Sequence, residues 1–135
     1  MSNVSSVQAV YQAFGQGDIP TILDLMADDV AWEAWADNHA QAVGVPNLLP
    51  RRGKAGVAEF FAEVATYEFT DFQVLSFMDG GHQVAVEVAL AAKLPNGNVV
   101  ADEEIHLWTF DDTGKVTRMR HYTDTAKHIA AARPS

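Results

Sequence analysis

Residues 83–110 read QVAVEVALAAKLPNGNVVADEEIHLWTF. Apolar and polar positions alternate on both sides of Asn96-Gly97, the period of a β-strand, and the dipeptide itself suits a tight hairpin turn. Side chains two apart in a strand share a face, so Asp102, Glu104 and His106 point the same way. Their neighbours Ile105, Leu107, Trp108 and Phe110 suit a core. Three polar groups on such a strand either meet water or line a hollow.

The alternation extends outward. Residues 69–77, 83–94, 99–110 and 115–123 are predicted strands, and Asp124 opens a short helix reaching about Ala132. Towards the N-terminus, Ser5 or Ser6 can cap a helix through Phe14, with Val7, Val10, Tyr11 and Phe14 at helical spacing. Asp18 caps a second helix with Pro20 in its first turn, where a missing N–H is harmless. Val30 to Trp35 reads as a strand, residues 36–53 as a loop, and Lys54 to Thr66 as a third helix. The fold class is α+β: three N-terminal helices against a curved, mostly antiparallel sheet, with a short C-terminal helix.

Two turns set the expected register. A two-residue Asn96-Gly97 turn pairs Pro95 with Asn98 and hence Glu87 with His106 and Ala89 with Glu104. A four-residue loop Asp111–Gly114 pairs Phe110 with Lys115, setting His106 opposite Met119 and Glu104 opposite His121. One face then carries Ala85, Glu87, Ala89 and Ala91 with Asp102, Glu104, His106 and Trp108, and with Met119 and His121. The other carries Val84, Val86, Val88, Ile105 and Leu107. Small alanines opposite large polar groups imply a cavity. The branched aliphatics imply an interface with a second copy of the chain, a homodimer through the outer sheet face.

The whole chain narrows the function classes. A length of 135 residues suits one domain, and the net charge of −9 disfavours nucleic acid and anionic membranes as partners. With no cysteine, thiolate chemistry and disulfides are excluded. No apolar run approaches the roughly 18 residues of a membrane span, and the first residues lack a basic start followed by an apolar stretch. The expectation is a soluble cytoplasmic protein.

Four stretches carry a family resemblance in order: Gly17-Asp18 before the second helix; Ala27-Asp28-Asp29-Val30-Ala31-Trp32 entering the first strand; Gly53-Lys54-Ala55-Gly56-Val57-Ala58-Glu59-Phe60-Phe61 in the third helix; and Asp111-Asp112-Thr113-Gly114-Lys115-Val116 in the last hairpin. Together they resemble SnoaL-like and ketosteroid isomerase-like proteins of the nuclear transport factor 2-like superfamily, over a single domain spanning 1–135. The resemblance implies a cone-shaped α+β barrel with a pocket between helices and concave sheet, commonly dimeric through the opposite sheet face. It leaves function open, since such folds host isomerases, cyclases, hydrolases and binders. Ketosteroid isomerases use an Asp base with a Tyr and a protonated Asp. The base position falls on Ala34 here, the Tyr position on Val10, and the protonated-Asp position on His106; Tyr11 is one residue away, about 100° round the helix. The Arg and Asp two apart that limonene epoxide hydrolase-like proteins need are absent from VAVEVALAA. The acid/base of polyketide cyclase-like proteins falls on His121.

The candidate catalytic residues are His106 and His121, with Glu87 and Glu104 as carboxylate partners that would fix a tautomer. Trp32, Met26, Phe61, Trp108, Met119 and Asp102 are the candidate substrate-binding residues. Trp35 is expected at the pocket mouth, while His39 and His128 read as surface residues. Two histidines and two carboxylates could bind a metal, but no ligand-spacing motif is present and none is expected. The chemistry implied is proton transfer on a small apolar carbonyl-bearing molecule, by isomerisation or aldol-type cyclisation, with no cofactor. A satisfied buried polar cluster, a non-catalytic small-molecule binder and a dimeric interaction module remain alternatives.

Overall fold

The computed structural model describes residues 2–33 and 38–133. Helix α1 (Asn3–Gln16) begins at Ser2, whose hydroxyl accepts from the Ser5 backbone N–H, and ends at Gly17 in the left-handed conformation. The cap is therefore Ser2 rather than Ser5 or Ser6. Asp18 caps α2 (Ile19–Asp24) by accepting from the Thr21 N–H, as expected. Strand β1 (Met26–Trp32) starts and stops earlier than Val30–Trp35. Ala34 and Trp35, expected at the base position and the pocket mouth, lie outside the described residues.

The stretch read as a loop holds α3 (His39–Ala42), a 3-10 turn (Pro46–Leu48) and β2 (Arg51–Arg52). Next come α4 (Gly53–Val64), then β3 (Glu68–Asp79), β4 (Gln83–Lys93), β5 (Val99–Phe110) and β6 (Val116–Tyr122), and finally α5 (Thr125–Ala132). The strands form one open, curved sheet in the order β2-β1-β6-β5-β4-β3. Only β1 and β6 run parallel. The architecture is the expected α+β cone.

The β4–β5 register differs from expectation by one residue. Leu94 N–H donates to Asn98 C=O at 2.8 Å, closing a three-residue loop, and Gly97 adopts φ 87°. Pro95 explains the shift. It has no N–H to give to a pairing partner, yet its fixed φ suits the first position of a type I turn. Val86 therefore opposes His106, and Glu87 opposes Ile105 on the far face.

The β5–β6 loop is also one residue shorter than expected, closed by Asp111 N–H to Lys115 C=O with Gly114 at φ 85°. Here an irregularity between Thr109 and Phe110 leaves Thr117 as an extra residue and restores the parity. His106 and His121 are direct cross-strand partners.

These registers put Val84, Val86 and Val88 on the inner face, each 0% exposed and packed in one core with Val7, Val10, Ile22, Val57, Phe60 and Phe61 of the helices. They are roofed by the chain itself and cannot form an interface with a second copy. Burying each stabilises the fold by at most roughly 1.5–3 kcal/mol. Ile105 and Leu107 do lie on the outer face, beside Ala85, Glu87 and Ala89.

Candidate functional site

A cavity of about 80 Å³ lies between the helices and the inner sheet face. A single water needs about 10–15 Å³, so there is room for a small organic group. Phe14, Phe60, Phe61 and Phe72 contribute much of its apolar wall, with Trp32 and Trp108. Tyr11, Glu104, His106, His121 and His128 form a polar wall.

Tyr11 projects from α1 to reach β5. Its hydroxyl lies 2.5 Å from His106 Nδ1 and accepts from Trp108 Nε1–H at 3.2 Å. The other nitrogen of His106, Nε2, is 2.8 Å from Glu104 Oε1. Glu104 Oε2 is 3.0 Å from His128 Nε2, which is also 2.9 Å from Asp102 Oδ2. Asp102 accepts in addition from the Asp124 backbone N–H at the start of α5. Six side chains, from Trp108 to Asp102, thus form one hydrogen-bonded chain. Burial alone would raise the Glu104 pKa, but the hydrogen bonds from His106 and His128 outweigh it and bring it down to about 2. Burial disfavours charge on His128, yet its two carboxylate partners hold its pKa above the ordinary value. Burial raises the Asp102 pKa, with the His128 bond opposing. It also raises that of Tyr11, keeping the phenol protonated.

His121, in T-shaped contact with His106 at 4.4 Å between ring centroids, has a separate partner. Its Nδ1 bonds the Glu33 carboxylate, which also accepts from the His121 backbone N–H. Glu33 is fully buried and has φ 58°, a left-handed conformation rare for a residue with a long side chain. Its N–H donates to Met119 C=O at 2.8 Å, and its own C=O accepts from Gln41 Nε2 at 2.8 Å. Burial and the nearby His128 charge push the His121 pKa down, to about 3, so the ring is neutral near pH 7. With Glu33 ionised, Nδ1 carries the hydrogen shared with it, and Nε2 keeps a lone pair.

Of the expected site residues, Trp32, Phe61, Glu104, His106, Trp108 and His121 border the cavity. Met26 and Met119 are buried in the core and do not border it. Asp102 is held behind Glu104 through His128. Glu87 is exposed on the outer face and cannot reach His106, a direct result of the Pro95 turn. Tyr11 enters the cavity, although its helical position had pointed it elsewhere. His128 is only 4% exposed, because α5 folds back over β5. Glu33 was not anticipated, since a strand continued to Trp35 would send it away from Trp32. The Asp102, Glu104 and His128 ligand atoms lie within 4.8 Å of one another, close enough for one cation, but His128 already bonds both carboxylates.

A family model described as the SnoaL-like domain matches residues 7–119. The chain belongs to the SnoaL-like domain family. Solved structures similar to this SnoaL-like domain include a nuclear transport factor 2-like protein from Burkholderia xenovorans LB400, 23% identical with a TM-score of 0.82, over 97% of this chain and 95% of that one. TerC, co-crystallised with polyporic acid, is 27% identical with a TM-score of 0.75, over 96% and 97% of the two chains. The Δ5-3-ketosteroid isomerase of a Mycobacterium species is 24% identical with a TM-score of 0.69, over 90% and 93%. No curated protein sequence matches. No helix among the described residues is long and apolar enough to cross a membrane.

Proposed function

We propose that this SnoaL-like domain binds a small, mostly apolar carbonyl-bearing molecule in the cone and moves a proton on it, by isomerisation or aldol-type cyclisation. The observation that carries this reading is His121 on the cavity wall, hydrogen-bonded to the buried Glu33. His121 Nε2 would take a proton from the carbon beside the carbonyl, and Glu33 would stabilise the imidazolium formed. The catalytic group on this reading is His121, with Glu33 positioning it and with His106 and Glu104 orienting Tyr11. The crystal structure of TerC with polyporic acid supports small-molecule binding. A second reading, a binder without turnover, is favoured by the low His121 pKa of about 3, which makes a weak base in the free protein.

Deuterium exchange separates the two. α-Tetralone in D2O is expected to take up deuterium beside its carbonyl faster with the protein than without it. His121→Ala should slow this at least about 100-fold, the scale of a lost general base. Exchange at the background rate with the ketone bound would leave the binder. We also propose that a second copy docks on the outer sheet face around Ile105 and Leu107.

A further inference from the structure

Glu104 sets the direction of the hydrogen bonds along the polar wall. Glu104 is a carboxylate and can only accept, so the nitrogens that face it, Nε2 of His106 and Nε2 of His128, each carry a hydrogen. An imidazole with its one hydrogen on Nε2 has its lone pair on Nδ1. The hydrogen between Nδ1 and the Tyr11 oxygen, 2.5 Å apart, must then come from Tyr11. Trp108 Nε1 is a donor only, so it fills one lone pair of the Tyr11 oxygen and leaves another. The phenol therefore spends its single hydrogen inward. It offers the cavity an acceptor.

His121 ends in the same condition. Its Nδ1 hydrogen goes to Glu33, and Nε2, an acceptor, has no hydrogen-bond partner among the described residues. A competing donor on a residue of the cavity lining, Trp32 Nε1–H, is buried and makes no hydrogen bond. Tyr67 directs its hydroxyl to Glu63 at 3.2 Å. The opposite direction needs a hydrogen on His106 Nδ1: either with a bare Nε2 lone pair against the buried Glu104 carboxylate, which is repulsive, or with a second proton on the ring, which would leave the Tyr11 hydroxyl free to donate.

We propose that this wall offers hydrogen-bond acceptors to its ligand, so the form bound most tightly is a hydroxyl compound, a phenol or the enol of a carbonyl compound, rather than the carbonyl form. The proposal rests on reading the cavity as a small-molecule site. It reverses the polarity expected of a wall that grips a carbonyl oxygen with donors, and it would favour the enol side of a proton transfer at carbon.

Three probes share one bicyclic frame: 1-naphthol has a donor, 1-methoxynaphthalene has none, and α-tetralone has only a carbonyl acceptor. Titration calorimetry is expected to rank 1-naphthol about tenfold or more above both, one hydrogen bond's worth of affinity. Tyr11→Phe should weaken 1-naphthol and leave the ether unchanged, and the ranking should survive Asn47→Ala, which removes the amide bordering the cavity. Nitrogen-15 spectra of the unmodified protein supply an independent measurement: His106 should show a protonated Nε2 and a bare Nδ1. Equal or tighter binding of the ether or the ketone overturns the proposal, as does a hydrogen on His106 Nδ1. If none of the three binds, the small-molecule reading itself fails, while the histidine spectra still decide the direction of the hydrogen bonds.

Discussion

Two buried carboxylates depend on one imidazole, His128, and its removal tests that dependence. His128→Leu leaves Asp102 and Glu104 without their shared cation partner, a change that typically costs about 3 kcal/mol or more. The folded pKa of His128 lies above its ordinary 6.5, so its stabilisation is complete below that value and fades as pH rises through the folded pKa. Urea unfolding is therefore expected to show a wider gap between wild type and variant at pH 6 than at pH 9; an equal gap would mean that charge on His128 contributes nothing. His106 and His121 share a face as the alternation predicts, although the shorter β5–β6 loop alone would have separated them and the irregularity at Thr117 restores the parity. Glu33 and His128 were not legible in the sequence. Glu33 reaches His121 through a left-handed residue at a strand end, a conformation its side chain does not announce. His128 meets its partners through the packing of α5 on β5, and local pattern says nothing of that.

At the scale of elements, strand alternation located β3 to β6 well, because a half-buried strand must show period two. The hairpin between β4 and β5 is one residue longer than Asn96-Gly97 alone predicts, because the missing N–H of Pro95 rules out the shorter turn. A one-residue slip carries every side chain of the neighbouring strand to the other face, and that moved Glu87 out and three valines in. The same loop anchors the last helix. Asn98 Nδ2 donates to the carbonyls of Ala131 and Arg133 at 3.0 and 2.8 Å, and Asn96 Nδ2 to that of Ala131 at 2.9 Å. Asn98→Ala should lower stability by about 1 kcal/mol and speed amide hydrogen exchange across Thr125–Ala132. Unchanged protection there would show that α5 is held by its side-chain packing alone.

For the molecule as a whole, the inner sheet face is spoken for by the helices, and the outer face carries Ile105 and Leu107 among alanines, with Met78 45% exposed nearby. Leu107→Lys should convert a dimer to a monomer in sedimentation experiments while leaving the inner wall untouched. Wild type sedimenting as a monomer would end the proposal of a second copy on this face. The parallel pairing of β1 with β6 has its own consequence. It brings Glu33 to His121 across 88 positions of sequence. Any excised piece containing both must run from one to the other, most of the chain. The acid and the imidazole therefore cannot be transplanted as a short cassette; whoever wishes to move this pair to another scaffold must carry nearly the entire fold with it.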